Sequence, residues 1–201
     1  MESFIRTYKV PHSVCDRFVR IFHHNEHLAQ PGNSGMSEKW SKISSDIGLT
    51  PEQLENITPF NNIFTNSILD FFRVIDYNSP IMMYEGCNIQ YYKSGQGFYK
   101  IHYENGQTDF PTSLRLLVWM LYLTDTPNAG TCFPKQNYIT ECTKGDLIIW
   151  PAGFTHPHYG IISDEHEKMI ITGWVHRCIP SNMDVIDETL KETLEEDEET
   201  L

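Results

Sequence analysis

Two kinds of hydrophobic spacing meet near Cys87. Before it, apolar residues recur at helical intervals. Val14, Phe18, Ile21 and Phe22 share one face of a helix, with Ser13 placed to cap its start. Phe64, Ile68, Phe71, Phe72 and Ile75 mark a second helical region over 51–75. Thr50-Pro51 supplies an N-cap and a first-turn proline for that region, and Pro59 should split it in two. Residues 4–10, FIRTYKV, read as a strand, while 29–50, rich in Ser, Gly and Pro, reads as a variable loop.

After Cys87 the pattern changes to short apolar runs broken by turn residues. Strands are predicted at 87–93, 98–104, 115–124, 137–142, 146–150, 155–162 and 168–177. The breaks fall at Ser94-Gly95, Asn105-Gly106, Asn128-Ala129-Gly130, Lys144-Gly145 and Pro151-Ala152-Gly153. Seven short strands after two helical regions predict a mainly β domain with flanking helices (α+β). Its form would be a barrel or jelly roll with a helical buttress over 13–75. No internal repeat is visible.

Composition adds limits. The 201 residues, 40% hydrophobic and 12% aromatic, suit one core and one domain, expected over 1–183. The net charge is −12. From Asp184 onward nine carboxylates (Asp184, Asp187, Glu188, Glu192, Glu195, Glu196, Asp197, Glu198, Glu199) face Lys191 alone, so this stretch carries −8. Residues 184–201 therefore read as an acidic, disordered tail that solubilises the chain or meets a partner. The body is close to neutral, which argues against a nucleic-acid partner. Cys15, Cys87, Cys132, Cys142 and Cys178 fit neither a zinc module nor a disulfide scaffold. No signal peptide and no membrane-spanning run is visible, so the expectation is a cytoplasmic protein with free thiols and no membrane partner. Oligomeric state is not legible.

The chemistry concentrates in a few residues. In a strand, His102 and Glu104 of Tyr99-Lys100-Ile101-His102-Tyr103-Glu104-Asn105-Gly106 would point to one face. Phe154-Thr155-His156-Pro157-His158-Tyr159-Gly160 offers a third ligand, and alternation does not choose between His156 and His158. Two imidazoles and one carboxylate on one face of Fe(II) leave three positions open. A second H-x-E unit, His24-Asn25-Glu26, with His23 and His27 at i, i+4, lies at a predicted helix end and reads as solvated surface.

Five blocks in order resemble the core of the prolyl 4-hydroxylase-like Fe(II)/2-oxoglutarate oxygenases. They are Ile89–Glu104, with its Gly95-Gln96 turn, and Arg115–Thr124; then Asn128-Ala129-Gly130-Thr131-Cys132-Phe133-Pro134, Lys144–Pro151 and Lys168–Trp174. The resemblance covers about 87–177 and implies a double-stranded β-helix, also called a jelly roll or cupin-like barrel. Two departures stand out. Glu104 occupies the place of the usual Asp, as it does in phage and marine-microbe relatives, which leaves a virus- or phage-encoded origin open. The turn before Thr131 has one glycine where the family usually has two.

The resemblance implies His102, Glu104 and His158 as metal ligands, because the family's basic residue lies about ten positions after the distal histidine and Lys168 is ten after His158. It implies Lys168 and Tyr92 as contacts of 2-oxoglutarate, with Thr172 as a weaker pocket residue. Trp119 and Trp174 read as core. Implied cofactors are Fe(II), 2-oxoglutarate and O2, with ascorbate an optional addition. The implied reaction hydroxylates a carbon, by family default a prolyl residue of a protein or peptide, and releases succinate and CO2. A small-molecule substrate, a metal-free jelly-roll binding module and a cupin-type enzyme without 2-oxoglutarate stay open. Residues 29–50 and 105–114 are placed to shape the entrance.

Overall fold

The computed structural model describes residues 4–32, 41–106 and 108–178. The acidic stretch 184–201 and the expected domain end at 183 lie outside them. Strand β1 (Arg6–Lys9) is followed by helix α1 (His12–His24). Pro11 occupies the N-cap of α1, and no side chain caps it. Ser13, expected in that role, lies inside the helix, because the fixed φ of Pro11 starts the turn two residues earlier.

Residues 29–50 are not all loop. They hold β2 (Gln30–Pro31) and β3 (Ser45–Leu49), and β3 joins the main sheet. A run as short and polar as Ser-Asp-Ile-Gly-Leu has too little β-pattern to reveal a strand that its neighbour stabilises. Helix α2 (Pro51–Glu55) opens with a full capping box between Thr50 and Gln53. Helix α3 (Thr58–Val74) starts afresh with Pro59 in its first turn, so the predicted split occurs there.

The remaining strands are β4 (Ile81–Met82), β5 (Cys87–Tyr92), β6 (Arg115–Tyr122), β7 (Thr131–Phe133), β8 (Tyr138–Ile139), β9 (Asp146–Pro151), β10 (Tyr159–Gly160) and β11 (Lys168–Arg177). They form two antiparallel sheets. The larger runs β1-β9-β6-β11-β5-β3-β2, with β4 also on β11; the smaller runs β10-β7-β8. Predicted strands 137–142 and 155–162 shrink to two residues each, and β7 was not expected.

Residue parity on the large sheet sorts its two faces. Leu117, Trp119, Leu121, Leu147, Ile149, Met169, Ile171 and Ile89 pack with Phe18, Phe22, Phe60, Phe64 and Phe71 of α1 and α3. Their even-numbered neighbours Tyr92, Val118, Met120, Tyr122, Ile148, Trp150 and Ile170 form a second cluster with Phe133 of the small sheet. One face thus carries the helical buttress and the other looks into the barrel. Gly173 pairs with Trp119 across β11 and β6, and a Cβ there would lie 2.7 Å from the indole. Only a glycine leaves room for that ring on the helix side.

Candidate metal and cosubstrate site

Predicted strand 98–104 is not a regular strand. Gly160 N–H donates to Phe98 O at 2.7 Å, whereas His102 and His158 exchange both backbone hydrogen bonds at 3.0 and 2.9 Å. Four residue steps on one side therefore face two on the other, so the segment bulges beside β10. Sharp local bends of this kind re-aim side chains. Here they bring His102 and Glu104 in front of His158 by a route that strand alternation alone did not supply.

The three side chains meet closely. Glu104 Oε1 lies 3.3 Å from His102 Nε2 and 3.5 Å from His158 Nε2. One ligand atom from each residue falls within 4.8 Å of the others. Side-chain exposures of 8%, 16% and 7% leave little water between them. His102 Nδ1 bonds Lys100 O at 2.8 Å and His158 Nδ1 bonds His156 O at 3.0 Å. A carbonyl only accepts, so each Nδ1 carries the proton and each Nε2 turns a lone pair inward. Two lone pairs and an anionic oxygen thus converge on one point.

This donor set fits a divalent cation. Adjacent ligands of an octahedral ion with bonds of roughly 2.1 Å are about 3 Å apart, close to the spacing here. Aromatic rings hold both imidazoles. Phe98 stacks on His102 at 3.7 Å between centroids, while Trp150 and Phe133 pack on His158 at 5.0 and 5.5 Å. His156 is buried too, but its Nδ1 meets its neighbour Thr155 Oγ1 at 2.9 Å, and it is not among the three converging groups.

A cavity of about 840 Å³ opens from this point. Lys168, at the start of β11, is 6% exposed and projects into it beside Tyr92, its partner on β5. Its Nζ donates to Ala129 O at 3.0 Å and Ile161 O at 2.9 Å and, among the described residues, meets no carboxylate. Burial lowers its pKa from the ordinary lysine value. Gly160 leaves space at the ammonium, since a Cβ there would sit 3.7 Å from Nζ. Tyr122, Thr131 and Thr140 link hydroxyls at 2.9 and 2.7 Å, and the first two line the cavity. A buried cation that meets no carboxylate among the described residues, in a cavity also lined by the hydroxyls of Tyr122 and Thr131, suits one carboxylate of a small dicarboxylic acid.

Tyr92 hydrogen-bonds Gln90 Oε1 at 2.5 Å, and burial followed by the Asp46 charge holds its phenol far above the usual range. Thr172 lines the cavity while its Oγ1 donates to Trp119 O at 3.1 Å. Trp119 is core as expected; Trp174 is not. Its even position on β11 turns it into the cavity, where Nε1 donates to Glu104 Oε2 at 3.1 Å. The sequence reading also missed Tyr122, Thr131, Arg115, Glu85 and His176. Arg115 was visible as a lone cation at the head of an apolar strand. The other four give no local signal.

Comparison with known proteins adds the decisive observation. A profile of the 2OG-Fe(II) oxygenase superfamily matches residues 87–176. The matched segment is similar to that superfamily and holds His102, Glu104 and His158. Among curated protein sequences none matches the chain. Solved structures share the double-stranded β-helix. The viral collagen prolyl hydroxylase of Paramecium Bursaria Chlorella virus-1, solved with 2OG, superposes with a TM-score of 0.66 at 18% identity, covering 87% of this chain and 97% of that one. A Pseudomonas putida prolyl-4-hydroxylase gives 0.66 at 15%, covering 88% and 94%. A Trichoplax adhaerens prolyl hydroxylase in complex with a hypoxia inducible factor peptide gives 0.63 at 13%, covering 87% and 84%. The superfamily implies Fe(II), 2-oxoglutarate and O2. Among the described residues no helix is long and apolar enough to cross a membrane.

Proposed function

We propose that the protein is an Fe(II)- and 2-oxoglutarate-dependent hydroxylase acting on a prolyl residue of a protein or peptide. The observation that carries the reading is one cavity holding two things: three converging metal donors and a buried ammonium that meets no carboxylate among the described residues. His102, Glu104 and His158 are the metal ligands. Lys168 holds the distal carboxylate of 2-oxoglutarate, with Tyr122 and Thr131 beside it. Tyr92 offers its hydroxyl from β5, and Thr172 shapes the wall between.

When bound, iron with 2-oxoglutarate and O2 supplies the oxidation that yields succinate, CO2 and a hydroxylated carbon. The chain's residues orient the cosubstrate from both ends and exclude water. The Nδ1–H groups held by Lys100 O and His156 O keep both Nε2 atoms unprotonated at the metal side.

A polypeptide substrate is supported by the mouth of the cavity, where Ile101, Tyr103 and Phe154 line the opening and stay exposed. Apolar side chains left in water at an opening suit an extended chain laid across it. The expected single domain over 1–183 is part of the same proposal. The test is anaerobic binding of Fe(II) and 2-oxoglutarate, followed by succinate release with and without proline-containing peptides, each with and without ascorbate. Succinate release stimulated by a prolyl peptide, with a mass gain of one oxygen on that peptide, is the expected result. Stimulation by small molecules alone would overturn the substrate assignment.

A further inference from the structure

The two oxygens of Glu104 are used differently. Oε1 faces the histidines. Oε2 turns away and accepts from Trp174 Nε1 at 3.1 Å and from Arg115 Nη1 at 3.3 Å. The same Nη1 donates to the backbone carbonyl of Glu104 at 3.0 Å, so one guanidinium nitrogen ties both ends of the residue. Arg115 lies over the Trp174 ring, 3.6 Å from its centroid. Its other edge donates to Glu85, Nε to Oε2 at 2.6 Å and Nη2 to Oε1 at 2.5 Å. Glu85 in turn meets Nε2 of the fully buried His176 at 2.8 Å. Tyr84 N–H points at His176 Nδ1 at 3.4 Å, which leaves Nε2 to carry the proton toward Glu85.

We infer that Arg115 and Trp174 are positioning residues that confine Glu104 to one metal-facing oxygen, with Glu85 and His176 bracing Arg115. The inference rests on the metal-site reading above. A carboxylate free to rotate can bind an ion through both oxygens and take a second coordination position. With Oε2 held by two donors, that rotation would cost a neutral and a charge-assisted hydrogen bond in a nearly dry site. Three positions then stay open for a two-toothed cosubstrate and O2.

The arrangement also accounts for glutamate at this position. Its carboxylate spans from the histidine pair to the Arg115–Trp174 pair. An aspartate on the same backbone is one carbon shorter and reaches one pair at the expense of the other.

The test uses the full chain, stripped of metal and titrated anaerobically with Co(II), reading affinity and the ligand-field absorption of the bound ion. Trp174→Phe keeps the ring and removes one donor; Arg115→Lys keeps the charge and removes the fork. Each should weaken Co(II) binding about 10–100-fold and shift the absorption bands. Glu104→Asp should weaken it at least as much. Adding Trp174→Phe to Glu104→Asp should bring little further loss, because the clamp is already broken. Wild-type affinity and spectrum in Trp174→Phe would overturn the inference, as would full additivity in the double variant. So would variants that lose only peptide turnover, since they would belong to substrate binding instead. Failure of the wild-type chain to bind Co(II) would sink the metal-site reading itself.

Discussion

Replacing Lys168 by alanine separates the cosubstrate site from the metal site. The ammonium is buried, donates to the carbonyls of Ala129 and Ile161 and lies over the Tyr92 ring, and among the described residues no carboxylate offsets its charge. A bound dicarboxylate would supply that charge. Removing one half of a buried pair costs about 3–5 kcal/mol, which corresponds to roughly a 200- to 5,000-fold loss of 2-oxoglutarate affinity. Fe(II) binding should stay near the wild-type value, because the metal donors come from other residues. The assay is anaerobic titration of the Fe(II)-loaded protein with 2-oxoglutarate. Lys168→Arg should lose less than alanine but still lose, since the guanidinium is larger and planar. The pH dependence provides a second readout. Burial lowers the lysine's pKa, and only the protonated form pairs with the anion, so wild-type affinity should fall as pH rises through that lowered value. This slope should vanish in the alanine variant. Equal affinity in wild type and Lys168→Ala would refute the assignment.

Two further outcomes test other links. His158→Ala should abolish tight Co(II) or Fe(II) binding while His156→Ala retains it, as read by metal titration; the reverse would reassign the distal ligand. Gly173→Val should destabilise the fold by about 1–3 kcal/mol or more, read as a fall in the thermal unfolding midpoint, because its side chain would enter the space of Trp119. An unchanged midpoint would mean that the sheet and helix layers yield at that contact.

Much of this was legible in the chain itself. Helical spacing to Val74 and strand-length runs after Cys87 reflect periods that local burial imposes, so they survive in one dimension. The N-cap at Thr50 and the restart at Pro59 depend on neighbours in sequence, and both were readable there; the reciprocal bond from Gln53 was not foreseen. His102 and Glu104 were visible as a unit because they lie two residues apart, and Lys168 because it opens an apolar strand.

What the tertiary structure decided depends on distant partners. Strand β3 exists because β5 lies beside it, not because Ser45–Leu49 favours extension. The bulge at 98–104 arises from pairing with β10, and it aims His102 and Glu104 towards His158, where a regular strand would not have met β10 in this register. Strand β6 is apolar on both faces, so its pattern hid that Tyr122 faces the cavity while Leu121 faces the helices. The convergence of His158, rather than His156, with His102 and Glu104, and the contact of Glu104 with Trp174, join residues more than fifty positions apart. No local propensity encodes such meetings; only closure of the two sheets around one cavity brings them within hydrogen-bond reach.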